Sequence, residues 1–199
     1  MRINRLSIAL AFLAAAVSAC TARPALLNSE RIEQQFGSYG VTILSQDSAV
    51  RRTSLYSDDS GHPICRTYAI VQYARSEYPE IHSIHSDVLA GASIGSSFSE
   101  KGWSIRKETT HIGSIELKDP AHPLASMMQL DAPAILATHV YDFHVVNASA
   151  DIHYATIVET HHPQYLDAAQ VIEIYGATDE LTAAEKHGIY KLVLLDHWD

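Results

Sequence analysis

The side chains whose types and spacing could do chemistry concentrate in the last third of this 199-residue chain. Along 152–162 every second residue lies on the same side of an extended strand, so His153, Ala155, Ile157, Glu159 and His161 share one face. The run 135–146 before it is equally rich in β-branched and aromatic residues, and 147–151 is short enough to fold the two runs into a hairpin. A turn symmetric about Ser149 sets Tyr141 opposite Ile157 and His139 opposite Glu159, which gathers His139, Glu159 and His161 near the open end of the hairpin. Two imidazoles and one carboxylate form a ligand set for zinc or iron, or an acid–base group whose histidines titrate near neutrality. Against this, a half-exposed antiparallel sheet carries polar residues anyway, a one-residue slip would scatter the cluster, and no known ligand motif is present. The sequence therefore predicts a structural cluster, satisfied by local hydrogen bonds or exposed at the strand end, with no catalytic residue, metal or other cofactor.

Two further groups invite a chemical reading and fit a structural one better. Gly91, Ala92, Ser93, Ile94 and Gly95 match the letters of the hydrolase nucleophile elbow, which works only where a strand turns sharply into a helix. Residues 82–90 already read as helix, which puts Ser93 in mid-helix and leaves the two glycines as a flat face for close packing. His82 and His85 stand three apart with Asp87 nearby, a spacing that equally describes the solvated face of an amphipathic helix.

The elements that must position these residues follow from periodicity and punctuation. Ser29 is placed to cap a helix that begins at Glu30, buries Ile32 and Phe36, and ends at Gly37. Runs at 41–44, 50–56 and 64–73, with a turn at 58–61, predict an antiparallel meander. Pro79 opens a helix expected to reach about Phe98, followed by two strands at 103–106 and 111–117 and a short helix near Met127. After the 135–160 hairpin, 165–175 reads as helix. A last helix starts at 178–180 with a stop at Lys186, His187 and Gly188, leaving 189–195 as either strand or continued helix, with Val193 and Leu195 packed. Antiparallel strand groups with interspersed helices predict an α+β fold, a two-layer sandwich of a mostly antiparallel sheet with helices packed on one face.

The N-terminus carries an address. Arg2 and Arg5 precede an uncharged apolar run, 6–17, too short to span the roughly 20 residues of a membrane-crossing helix but suited to a secretory signal. At its end Val17, Ser18, Ala19 and Cys20 resemble the lipobox of bacterial lipoproteins. That resemblance implies cleavage before Cys20, acylation of its thiol and new amino group, and membrane attachment, since two or more acyl chains anchor a protein stably. Thr21, in place of Asp, implies sorting to the outer membrane. The expected division is a signal peptide at 1–19, the lipidated cysteine and tether at 20–28, and a single globular domain at 29–199 facing the periplasm.

Composition narrows the partners. All 23 acidic residues lie after the expected cut and two of the 14 basic ones leave with the signal, so the mature charge is −11. Nucleic acid, bound mainly through Lys and Arg that neutralise phosphates, is not an expected partner. With Cys20 spent on lipid, Cys65 has no intrachain disulfide partner and is expected to be a buried, inert thiol. The expected function is a non-enzymatic accessory module that binds an envelope protein or small ligand, and the alternative is a metal-dependent hydrolase built on His139, Glu159 and His161.

Overall fold

A computed structural model describes residues 26–74, 78–131 and 133–198. The signal segment 1–19, Cys20 and most of the expected tether lie outside the described residues. In chain order the elements are α1 (Asn28–Phe36), β1 (Gly40–Gln46), β2 (Val50–Asp59), β3 (His62–Tyr73), a 3-10 turn (Pro79–Ile81), α2 (His82–Leu89), α3 (Ile94–Glu100), β4 (Ser104–Leu117), α4 (Pro123–Met127), β5 (Ala134–Val146), β6 (Asp151–His161), α5 (Ala168–Tyr175) and α6 (Ala183–Leu194). The six strands form one antiparallel sheet in the order β1-β2-β3-β6-β5-β4, so the fold is α+β as expected. The predicted meander is β1-β2-β3, and the predicted hairpin is β5-β6, with β6 and β3 at the centre of the sheet.

Parity along the central strands assigns the helices. Val71 and Ile157 face one another on the side where Ile84, Val88 and Phe98 of α2 and α3 pack, and Ile32 of α1 and Val171 of α5 close the same side around Ala137. Ile70 and Val158 point the other way, onto Leu124 of α4 and Val193 and Leu194 of α6. Helices therefore cover the central strands on their second face as well, which is why β3 and β6 are buried on both sides.

Several local expectations give way to packing and backbone geometry. The long helix expected from Pro79 to Phe98 breaks at Gly91, whose φ of 109° is open to glycine and ends α2. Ser93 is consequently not in mid-helix but is the residue before α3, with φ −68° and ψ 127°, an unstrained extended conformation preceded by helix and not by strand. The two strands expected at 103–106 and 111–117 are one strand, β4, with a bulge between Thr109 and His111. Gly188 does not stop the last helix: Thr182 and Glu185 form its capping box and α6 runs on to Leu194, leaving Leu195 58% exposed where burial was expected. At the chain's first helix, Glu30 caps in place of Ser29, accepting from the Leu27 N–H at 2.7 Å. Cys65 is buried and free, and burial pushes its thiol up to about 11, so at neutral pH it is fully protonated.

Candidate functional site

The hairpin register places His139 opposite Glu159 and Tyr141 opposite Ile157, as symmetry about Ser149 predicts. Symmetry fails nearer the turn. A bulge admits Tyr154 as an extra residue, so Ile152 and Tyr154 join Ala155 and Ile157 in one core, and His153 leaves the face of Glu159. It turns instead to Asp142, at 3.2 Å, and to the His144 ring. His85 is likewise occupied, with Nδ1 2.9 Å from the Tyr154 hydroxyl, while His82 and Asp87 are exposed as a solvated face requires.

His139, Glu159 and His161 do meet, and all three are buried. Nδ1 of His139 lies 3.9 Å from Glu159 Oε2, and Nε2 of His161 lies 4.0 Å from the same oxygen. Each side chain is anchored at its other end. His139 Nε2 is 3.0 Å from Thr109 Oγ1, His161 Nδ1 is 3.0 Å from Thr67 Oγ1, and the Tyr141 hydroxyl donates to Glu159 Oε1 at 3.0 Å. The Thr67 oxygen also accepts from Asn28 Nδ2, and Asn28 Oδ1 in turn accepts from the Tyr165 hydroxyl at 2.5 Å. Tyr175 stacks on His139, ring centroids 4.2 Å apart, and Tyr165 meets the His161 ring edge-on at 5.8 Å.

The inner ends are the unusual part. His139 Nδ1, Glu159 Oε2 and His161 Nε2 are all buried without a hydrogen-bond partner. The expectation that local hydrogen bonds would satisfy the cluster is met only on its outer side. An orphaned buried polar atom costs about 1–3 kcal/mol, and three converging on one point is a pattern that native packing avoids unless something else fills it. In the tautomers whose N–H groups donate to Thr109 and Thr67, both inner nitrogens present lone pairs toward a carboxylate oxygen, an arrangement that calls for a cation.

On His161 a proton does not serve as that cation. Burial lowers the His161 imidazole to about 4, the opposing pull of Glu159 notwithstanding, so the ring is neutral at physiological pH. Burial pushes the Glu159 carboxyl up, but opposing charge, that of Lys107 first, outweighs it and holds the group well below the usual carboxylate range. Neutral imidazole and ionised carboxylate are the protonation states a metal requires of its ligands. The three inner atoms lie within 4.8 Å of one another. With Oε2 3.9 and 4.0 Å from the two nitrogens, a point equidistant from the three atoms is no more than about 2.5 Å from each, and side-chain shifts of a few tenths of an ångström reach the roughly 2.0–2.2 Å of zinc–nitrogen and zinc–oxygen bonds.

Sequence reasoning found the three inner residues and missed their support. Thr109 and Lys107 lie between the two strands expected at 103–106 and 111–117, which are the two halves of β4, and no apolar alternation marks them. The bulge after Thr109 sets its hydroxyl against His139, a re-aiming of one side chain that period-two reading cannot anticipate. Thr67 and Asn28 are far from the hairpin in sequence and arrive through strand pairing and the docking of α1. Compared with known proteins, the chain matches no family model and no curated protein.

Proposed function

We propose that this chain is an exported, lipid-anchored metalloprotein of the bacterial envelope that uses a mononuclear metal centre to bind a small ligand. His139 Nδ1, Glu159 Oε2 and His161 Nε2 hold one divalent transition-metal ion. The convergence of these three unpartnered buried atoms carries the reading. Two nitrogens and one carboxylate oxygen suit zinc or iron over magnesium or calcium, which prefer oxygen alone. Thr109, Thr67 and Tyr141 supply the outer hydrogen bonds that fix ligand orientation at protein metal sites.

Three protein ligands leave room for a fourth from solvent or a bound molecule, and a bound ion would contribute Lewis-acid polarisation there. That ligand count is what favours the second reading, a metal-dependent hydrolase. The binding role ranks first because, among the described residues, the cavity beside Glu159 is lined by no other carboxylate and by no imidazole, so none of them stands as a general base next to the site once Glu159 is a ligand.

The test is metal content. The full chain purified in detergent and loaded with zinc or iron(II) is expected to hold one ion per chain by elemental analysis after desalting, and Glu159→Gln and His161→Ala to hold less than a tenth as much. Equal metal in wild type and Glu159→Gln would sink the assignment. The envelope address rests on the resemblance of residues 17–20 to a lipobox, and Cys20→Ser is expected to abolish incorporation of a clickable fatty acid because only that thiol can form the thioether. Persistent labelling of the variant would show that the anchor is elsewhere or absent.

A further inference from the structure

We propose that the cavity beside the metal centre takes a short-chain organic monocarboxylate, its carboxylate attracted by the charges of Arg51 and Lys107 in the cavity wall and its hydrocarbon part laid against Val71, Phe143 and Ile157. The cavity holds about 130 Å³ and lies between the sheet and the first turns of α1 and α3. A dry protein cavity of similar volume accommodates a molecule of about six heavy atoms. Its walls are largely apolar, with Leu55 and Ile94 completing the hydrocarbon surface.

The charges set into those walls do not balance. Arg51, Lys107 and Glu159 all line the cavity. Arg51 is only 2% exposed, its Nε has no partner, and Nη1 donates to the carbonyls of Ala92 at 2.8 Å and Val88 at 3.4 Å. Lys107 Nζ sits 4.4 Å from the ring centroid of Tyr141 and 5.7 Å from that of Tyr175. Among the described residues no carboxylate lies within ion-pair distance of either cation. A guanidinium withdrawn from water onto neutral partners alone carries an uncompensated desolvation cost, which an anion in the cavity relieves. The first turn of α1, at Leu27, Asn28 and Ser29, forms part of the wall.

The proposal rests on the metal reading in one respect: Glu159 counts as spent on the ion, which leaves Arg51 and Lys107 as the charges the ligand must answer. Apolar walls around the two cations select a carboxylate carried on hydrocarbon over a bare inorganic anion, whose hydration those walls cannot replace.

The test is calorimetric titration of the full chain, zinc-loaded in detergent, with pentanoate, with its neutral isostere pentanamide, and with inorganic phosphate, against empty micelles. Pentanoate is expected to saturate, with pentanamide and phosphate at least tenfold weaker. Lys107→Met is expected to weaken pentanoate at least tenfold and leave pentanamide unchanged. Arg51→Met is expected to do the same; should it fail to fold by circular dichroism, Lys107→Met decides alone. Equal affinity for pentanoate and pentanamide, tighter phosphate than pentanoate, or no saturable pentanoate binding overturns the proposal. Metal content measured on the same samples separates the two ideas. A zinc-loaded chain that ignores pentanoate keeps its metal centre and loses the anion site, whereas pentanoate binding by a chain that holds no metal does the reverse.

Discussion

Metal-free protein titrated with zinc is expected to gain about 8–16 °C in unfolding midpoint once the free ion reaches a thousand times its dissociation constant. The size follows from linkage: a ligand that binds only the native state at that excess contributes about 4 kcal/mol, and in a domain of 150–250 residues each kcal/mol moves the midpoint by about 2–4 °C. The physical source is the inner face of the cluster, where His139 Nδ1, His161 Nε2 and Glu159 Oε2 give up hydration on folding and gain no partner in return. Glu159→Gln separates this from a structural charge pair. The amide keeps the shape, its oxygen can still accept from the Tyr141 hydroxyl, and its NH2 group faces the two imidazole lone pairs as a donor. The metal-free variant is therefore expected to be at least as stable as metal-free wild type and to gain nothing from zinc. Differential scanning fluorimetry with a buffered zinc series reads both outcomes. A variant markedly less stable than wild type without metal, together with a wild type indifferent to zinc, would show that the cluster merely braces the hairpin.

Phe98→Ala is expected to lower stability by about 3–5 kcal/mol, the range for truncating a fully buried aromatic, and so to drop the midpoint by about 6–20 °C. Phe98 is the fully buried anchor of α3, a helix of only seven residues that packing must hold because its own hydrogen bonds cannot. Its ring meets Tyr154 at 4.8 Å and Trp103 at 6.4 Å, both edge-on. Those contacts tie α3 to the bulge of β6 and to the entry of β4, and Ser93 with the first turn of α3, Ile94 to Ser96, contributes to the cavity wall. Loss of the ring is thus expected to cost pentanoate binding as well as stability, while the metal, held by the hairpin, stays. Leu195→Ala serves as the control: the side chain is 58% exposed, and its removal is expected to change stability by less than about 0.5 kcal/mol. Thermal unfolding of the two variants side by side checks the contrast.

What the sequence determined by itself is whatever repeats on a local period. Alternation along 135–161, with its short connecting loop, was enough to pair His139 with Glu159, because a buried face makes a one-residue slip expensive and the loop length fixes the register. The same period-two logic gave the meander, and the glycines at 37 and 176 marked the ends of α1 and α5. What only the tertiary structure decided are the places where one residue breaks the period. The bulge at Tyr154 sends His153 to the opposite face, the bulge after Thr109 delivers a hydroxyl to His139, and Gly91 divides a helix that its apolar spacing would have continued. A bulge gains its energy from neighbours brought in from elsewhere in the chain, so nothing local announces it. Charge balance is equally non-local. Arg51, Lys107 and Glu159 come from three strands, and whether a buried group has a partner is a property of the assembled sheet and helices, which composition and spacing cannot express.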